Sequence, residues 1–172
     1  MLGLGASINR GGFVSAAESL LLDEYSGAAT AYSLRKLSNT YSGNAVKVRR
    51  ASDTAELDIA FSDGGIDIYA ITRNCGSSDG FVSVWYDQSS NSNNATQTTA
   101  ADQPKIYDGT TGVVTENGKP AVLFSGAQYV DSSSISTTTA TIFGVLDGGS
   151  TSQFVGTPDL NENSWYFNTG TY

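Results

Sequence analysis

The sequence predicts an all-β protein, a two-sheet antiparallel sandwich of the jelly-roll kind with one short N-terminal helix. Three observations support this prediction. Eight or so short apolar runs are separated by turn residues, 19 residues are glycine, and only 15% are charged, so Ser, Thr and Asn must cover much of the surface. Many short strands with frequent turn signals are typical of such sandwiches, and a β-barrel is the alternative.

Residues 1–17 and residues 18–172 are predicted to differ in kind. The first range is rich in Gly, Ala and Ser, which is typical of an extended arm that becomes ordered only by docking onto another surface. The second range has an ordinary length for one β-sandwich domain. Near its start, apolar residues at near-helical spacing, closed by Gly43, predict a short helix over about residues 28–38.

An alternation of period two predicts the first strands. In AVKVRRAS, Val46 and Val48 alternate with Lys47 and Arg49, and AELDIAF shows the same pattern. A short turn or helix is predicted over GIDIYAITRNC. The remaining apolar runs are predicted strands, and they are GFVSVWYD, PKIYD, PAVLFSG, ATIFGVLDG, SQFVG and SWYFN.

The chain finishes on SWYFNTGTY, a strand-like run without a closing element. A strand left at an open sheet edge needs a partner, because its outer backbone N–H and C=O groups are unpaired. We therefore expect that a neighbouring chain completes the sheet or that the sequence is part of something longer.

The charge balance bears on partners. Acidic residues outnumber basic ones by 17 to 9, which gives a formal net charge of −8. This charge repels phosphate backbones and anionic lipid surfaces, so we expect no nucleic-acid and no membrane partner. No apolar run approaches the roughly 20 residues of a membrane-spanning helix, and the start does not resemble a secretory signal, so we expect a soluble chain made in a cytoplasm.

Histidine is absent, which excludes Ser-His-Asp and Cys-His nucleophile systems and histidine-based metal sites. The lone Cys75 cannot form an internal disulfide, and we interpret it as structural. We expect no cofactor and no metal. Any catalysis must use carboxylates. Arg49 and Arg50, with Asp53 and Glu56 close by, are expected to form salt bridges at a sheet edge.

The stretch WYDQSSNSNNATQ, residues 85–97, admits three interpretations. In the first, Asp, Asn and Ser side chains bond backbone N–H groups two or three residues on and hold a long loop in place. In the second, planar polar groups beside an aromatic face bind a glycan. In the third, Asp87, Ser89 and Asn91 bind calcium, although the glycine and terminal glutamate of an EF-hand loop are missing. The candidate glycan-binding residues are Trp85, Tyr86, Asp87, Gln88, Asn91, Asn93 and Asn94.

Several blocks of the chain occur in an order typical of a known family. They are LLDEYSGAATAYSLRKLSNTYSGNAVKVRRASD, WYDQSSNSNNATQ, NGKPAV and TIFGVLDGG. Together they resemble the catalytic β-sandwich of B-type α-L-arabinofuranosidases over about residues 20–149. This resemblance implies a concanavalin-like fold.

The same blocks also resemble a lectin-like domain of structural proteins of tailed bacteriophages. TAADQPKIYD, which follows the loop, and the short glycine-rich start are typical of that domain. This second resemblance implies that residues 18–172 are a lectin-like domain.

The arabinofuranosidase resemblance assigns no catalytic residue. That family carries two adjacent cysteines at its sugar pocket, where this sequence reads SQFVG, and its nucleophile and acid/base carboxylates lie later in the fold than Tyr172. In the matching loop, residues 86–89 are a scaffold signature of the family. Asp147, Asp159 and Glu162 are the acids near the implied pocket, and their spacing singles out no pair for glycoside hydrolysis.

These features predict a bacteriophage virion structural protein that displays a lectin-like domain on the virion surface for glycan or host attachment. Its expected partners are other virion subunits, reached through the arm and the C-terminal edge, and further copies of itself. Two alternatives stay open. One is an α-L-arabinofuranosidase-type glycoside hydrolase, and the other is a purely structural capsid or tail decoration module without a ligand.

Overall fold

The computed structural model describes residues 18–132, 141–147, 153–156 and 166–168, the last two ranges as backbone strands. Throughout these residues the protein is mostly antiparallel β-sheet with few helices, so the predicted all-β class is confirmed at this level. The predicted arm, residues 1–17, lies outside the described residues, as do Asp159 and Glu162.

The helices and strands are short. The helices are α1 (Leu21–Glu24) and α2 (Ile68–Cys75). The strands are β1 (Val46–Arg50), β2 (Glu56–Ile59), β3 (Phe61–Ser62), β4 (Gly65–Ile66), β5 (Gly80–Trp85), β6 (Ala95–Thr96), β7 (Lys105–Asp108), β8 (Gly112–Val113), β9 (Thr115–Glu116), β10 (Lys119–Pro120), β11 (Asp131–Ser132), β12 (Gln153–Gly156) and β13 (Tyr166–Asn168).

The main sheet of the described residues is nine-stranded and curled. Its strands run in the order β12-β13-β11-β6-β5-β1-β2, with β7 and β8 branching from β5. Strand β5 pairs with β1 along one edge, whereas β6 and β7 share its other edge at opposite ends. At β5 the sheet therefore branches, one branch continuing through β6 and the other through β7. Two hairpins, β3–β4 and β9–β10, form separate two-stranded sheets.

Strand β1 confirms the predicted alternation. Val46 and Val48 are fully buried, and Lys47 and Arg49 lie between and beyond them with partial exposure. Successive side chains of a strand point to opposite faces, so the two valines face the core and the two cations face outward. A register shift between Lys47 and Val48 lets the strand stay paired with β5.

The core lies between this sheet and α2. Its largest fully buried side chains include Ile59, Ile71, Ile106 and Val82. Helix α2 is capped by the Asp67 carboxylate, which accepts a hydrogen bond from the Ala70 N–H at 2.9 Å. The helix predicted as one option over GIDIYAITRNC is therefore present.

Cys75 is buried in this core, in agreement with its structural interpretation. It lies against Gly80, where an added Cβ would meet the Cys75 Sγ at only 2.6 Å. The helix can approach β5 this closely because residue 80 has no side chain.

The prediction of a helix over residues 28–38 is wrong. This segment forms no helix, and α1 ends at Glu24, before the segment begins. Its backbone groups bond to distant partners instead. The Ala31 C=O accepts a hydrogen bond from the Gln88 N–H at 2.8 Å, and the Leu34 C=O accepts one from the Ile66 N–H at 2.8 Å. Long-range hydrogen bonds have replaced the i to i+4 ladder that the spacing of the apolar residues suggested.

The predicted strands near the C-terminal end have mixed outcomes. Strands β12 and β13 confirm the runs SQFVG and SWYFN. Residues 141–147, from the run ATIFGVLDG, form no strand and are exposed. Strand β13 pairs with β11 on one side and β12 on the other, so the open edge predicted at this last strand is not there.

Replacing Ile59 by Ala should lower the free energy of unfolding by about 2–5 kcal/mol, because truncation of a fully buried Ile removes contacts and leaves a cavity. Leu57, on the same strand and 40% exposed, is the matched control, and Leu57→Ala should cost less than about 1 kcal/mol. Urea denaturation followed by circular dichroism measures both. Equal losses of unfolding free energy in the two variants would contradict the burial of Ile59 in the core.

Candidate functional site

The loop that follows β5 is built around two buried polar residues. Asp87 and Gln88 are each only 3% exposed, although both carry polar side chains. A buried charge or carboxamide is costly unless hydrogen bonds replace its lost water. The contacts of these two residues therefore decide what the loop can do.

The Asp87 carboxylate is enclosed by donors from two parts of the chain. Its Oδ1 accepts hydrogen bonds from the N–H groups of Ala31 at 2.7 Å and Ser89 at 2.8 Å. Its Oδ2 accepts the Ser89 hydroxyl at 2.6 Å and the Asn93 N–H at 2.9 Å. The carboxylate thus closes its own loop and fastens residue 31 to it.

The Gln88 side chain fastens the same distant segment at further points. Its Oε1 accepts the Leu37 N–H at 2.8 Å, and its Nε2 donates to the C=O groups of Ser33 at 3.0 Å and Arg35 at 2.9 Å. These bonds take the place of the helical hydrogen bonds that residues 33–37 lack.

The three asparagines of the loop also bond to backbone. The Nδ2 groups of Asn91 and Asn93 donate to the C=O groups of Ala28 at 2.9 Å and Ala29 at 3.0 Å, respectively. The Asn94 Oδ1 accepts the Asp87 N–H at 3.0 Å. Asn91 and Asn93 therefore fasten the loop to residues 28–29, and Asn94 closes the loop on itself.

The aromatic residues beside the loop are half-buried. The rings of Tyr32 and Trp85 have centroids 6.3 Å apart and are inclined by 52°. The Tyr32 hydroxyl donates to the Asn93 C=O, and burial raises the pKa of Tyr32 to about 12. The hydroxyl therefore stays protonated and keeps its role as a donor.

Tyr86 points to a different neighbour, the edge strand β2. Its hydroxyl donates to the Asp58 Oδ1 at 2.6 Å, and Lys47 Nζ lies 4.0 Å from the same oxygen. Burial, and then the nearby Asp58 carboxylate, raise the pKa of Tyr86. A phenol held in its protonated form is a hydrogen-bond donor here rather than a nucleophile.

These contacts agree with the first of the three interpretations of the loop. The side-chain groups of Asp87 and Gln88 face the protein's own backbone, as do the amide groups of Asn91, Asn93 and Asn94. Calcium does not fit at Asp87, because N–H and O–H donors occupy both carboxylate oxygens and calcium needs 6–8 oxygen ligands. Glycan binding by the seven candidate residues stays a prediction.

A shallow depression of about 320 Å³ lies between this loop and the chain around α1. Leu22, Gly27, Thr40, Tyr41 and Ser89 are among the residues that line it. Gly27 has a φ of +91°, which favours glycine, and the Tyr41 hydroxyl donates to the Asn44 C=O at 2.9 Å. The lining is rich in hydroxyl groups and contains one aromatic ring.

Several other carboxylates of residues 18–132 have structural contacts. Asp23 accepts hydrogen bonds from Ser38 at 2.6 Å and from Asn39, and the Ser38 bond is the main cause of a lowered Asp23 pKa. Asp79 lies 2.7 Å from Lys105 Nζ. In the described part of the chain, no group of three His, Cys, Asp or Glu residues could hold a metal ion. No described helix is long and apolar enough to cross a bilayer.

The two adjacent arginines have separate roles. Arg50 forms the predicted ion pair with Asp53 at 2.6 Å, and its hydrogen bond lowers the pKa of Asp53 to about 2. Arg49 was also expected to bond an acid, but its Nε donates to the Gln103 Oε1 at 2.6 Å. Its guanidinium carbon lies 5.1 Å from the centre of the Phe81 ring.

A sequence model described as "Alpha-L-arabinofuranosidase B, catalytic" matches residues 24–142, more than half of the chain. The chain belongs to this family. The match includes the loop, segment 28–37 and the strands that position them. No curated protein matches the chain significantly.

Two solved structures support the membership in this arabinofuranosidase family. One is a GH54 α-L-arabinofuranosidase soaked with a cyclic sulfate inhibitor, and the other is a mutant GH54 α-L-arabinofuranosidase soaked with 4-nitrophenyl α-L-arabinofuranoside. Each is 25% identical to the chain with a TM-score of 0.51, over 63% of this chain and 26% of the other. The chain thus spans about a quarter of the length of these solved structures.

The prediction that the chain is a phage virion protein is wrong, and so is the prediction that it lies on the virion surface. The family and the solved structures are those of arabinofuranosidases, and they do not support the resemblance to a phage lectin-like domain. The error has a physical cause. The blocks on which that resemblance depended include the loop, whose side chains hydrogen-bond to the backbone of residues 28–37. Such blocks specify a scaffold and do not separate two functions built on it.

The second half of the site, the segment of residues 28–37, was not among the residues predicted from the sequence. The acceptor and donor groups of Asp87 and Gln88 reach residues that are 51–56 positions away in the sequence. The available signal was an Asp-Gln pair followed by Ser and Asn directly after a buried strand. That signal predicts local turns, and it does not reveal a distant partner.

Asp87→Asn should lower the free energy of unfolding by about 2–4 kcal/mol, because the new NH₂ group faces N–H donors and leaves at least one of them unsatisfied. Ser90→Ala, an exposed change in the same loop, is the control and should stay within about 0.5 kcal/mol of wild type. Urea denaturation compares the three proteins. An Asp87→Asn variant as stable as wild type would show that the carboxylate does not hold the loop.

Proposed function

We propose that the chain belongs to a glycoside hydrolase acting on α-L-arabinofuranosides, and that residues 18–132 form the scaffold of its catalytic domain. The family match over residues 24–142 is the observation that carries this proposal. The relative soaked with 4-nitrophenyl α-L-arabinofuranoside supports the choice of substrate class. Because the chain spans about a quarter of that relative, the activity of the whole protein is part of the proposal.

The finer fold belongs to the same proposal. A concanavalin-like jelly-roll sandwich agrees with a curled antiparallel sheet that buries one face against α2 and leaves polar side chains on the other.

Within this proposal the loop supports the sugar site. Catalytic sites need side chains held close to their productive positions by a rigid surrounding shell. Asp87 and Gln88 supply such rigidity, because they join two distant segments through hydrogen bonds with little exposure to water. A carboxylate that already accepts four hydrogen bonds is poorly suited to exchange protons with a substrate.

The reacting carboxyls are therefore sought elsewhere. Glycoside hydrolysis needs one carboxyl group as acid and a second as nucleophile or base. Asp23, Asp53, Asp79 and Asp87 are engaged in the contacts described above. The resemblance to the family places these carboxyls later in the fold than Tyr172, and the spacing of Asp147, Asp159 and Glu162 singles out no pair among the acids of this chain.

The full protein that carries this chain, purified and incubated with 4-nitrophenyl α-L-arabinofuranoside, should release 4-nitrophenolate at a rate proportional to protein concentration, measured by absorbance. Asp147→Asn, Asp159→Asn and Glu162→Gln should each leave the rate within about tenfold of wild type, because the reacting carboxyls lie elsewhere, whereas loss of the acid/base itself would lower the rate by about 100-fold or more. Glu116→Gln, an exposed acid in the β9–β10 hairpin, is the control and should keep the rate. A folded full protein that releases no 4-nitrophenolate would contradict the proposed activity.

A further inference from the structure

The outward face of the main sheet carries a second depression, of about 360 Å³. It lies over β1, β5 and β6, on the side of the sheet opposite Val46 and Val48. The side chains that form its walls and rim include Lys47, Arg49, Glu56, Thr96, Thr98 and Gln103. Its volume falls within the range of roughly 300–1,000 Å³ that is common for small-molecule sites.

One wall of this depression is held rigidly. The Arg49 Nε donates to the Gln103 Oε1 at 2.6 Å, and the Gln103 Nε2 donates to the Gln97 C=O at 2.7 Å. The Gln97 Oε1 in turn accepts the Thr99 N–H at 2.9 Å. Gln97 and Gln103 are both buried, so this chain of polar groups is already ordered before a ligand arrives. Less conformational entropy is lost when a ligand binds to such a surface.

The charges around the depression balance. Lys47 and Arg49 supply two positive charges, and Glu56 and Asp58 supply two negative charges on the neighbouring edge strand. Lys47 Nζ lies 4.0 Å from an Asp58 carboxylate oxygen, a distance that leaves the ammonium group able to donate to a ligand. An anionic or cationic ligand would gain little from this surface, whereas a neutral ligand with many hydroxyl groups would meet both donors and acceptors.

We propose that this outward-face depression binds a neutral oligosaccharide, at a place separate from the loop of Asp87. Hydroxyl groups of Thr96 and Thr98, the Lys47 ammonium and the Glu56 carboxylate provide the donors and acceptors that sugar hydroxyls require. The depression is open to solvent, so an oligosaccharide can reach it. The inference rests on the proposed function only in the choice of a saccharide as ligand.

Titration calorimetry with xylotetraose, a neutral oligosaccharide, tests the proposal on the whole chain. We expect binding with Kd in the range of about 0.1–1 mM, since the contacts are hydrogen bonds without aromatic stacking. Lys47→Ala should weaken binding about fivefold through the loss of a hydrogen-bond donor. Thr98→Trp, a bulky change at an exposed position, should abolish it.

Two variants on other exposed surfaces serve as matched controls. Lys119→Ala and Thr110→Trp repeat the same chemical changes away from the depression and should bind xylotetraose like wild type. Circular dichroism melting confirms that each variant is folded. An absence of binding to xylotetraose, wild-type affinity in both depression variants, or tighter binding of an anionic oligogalacturonate would each overturn the inference.

The outcome separates this inference from the proposed function. Calorimetry measures oligosaccharide binding whether or not the chain cleaves a glycoside, and release of 4-nitrophenolate reports cleavage alone. Binding by the chain without cleavage by the full protein contradicts the hydrolase and supports the depression. Cleavage by the full protein without xylotetraose binding by the chain contradicts the depression and supports the hydrolase.

Discussion

The buried carboxylate of Asp87 is the contact on which the arrangement of the described N-terminal half depends. It accepts hydrogen bonds from Ala31, Ser89 and Asn93, which lie on both sides of the loop interface. A charged acceptor forms hydrogen bonds about twice as strong as neutral ones, and a buried charge without them would be prohibitive. Together with Gln88, it holds residues 28–37 in an irregular path that neither a helix nor the sheet would otherwise support.

This constraint bears on function as well as on stability. A side chain that satisfies the backbone of two segments is unavailable for acid/base chemistry, so the most distinctive motif of the chain is a support. Under the proposed function, other residues of the fold contact the substrate. The outward sheet face, with its balanced charges and ordered glutamines, offers a surface where the polar side chains are accessible to a sugar.

Much of the sheet could be predicted from the sequence, because a half-buried strand imposes its alternation on the residues. Val46 and Val48 against Lys47 and Arg49 carry that signal plainly. The absence of a helix over residues 28–38 could not be predicted from the local sequence. Backbone N–H groups of this segment donate to side chains more than 50 residues away, and no local pattern reveals such partners. The functional prediction failed for a related reason. The loop residues indicate how the chain is held together, and only the comparison with known proteins placed the chain in an arabinofuranosidase family rather than among virion proteins.

Native-state hydrogen exchange of the Ala31 and Leu37 amides tests the central claim most directly. Both N–H groups donate to buried side-chain oxygens, Ala31 to Asp87 and Leu37 to Gln88. The account predicts that they exchange about as slowly as the amide of Val48 in the core strand, because all three require a cooperative opening to reach water. Exchange of Ala31 and Leu37 at the rate of an unstructured chain, with Val48 still protected, would contradict it.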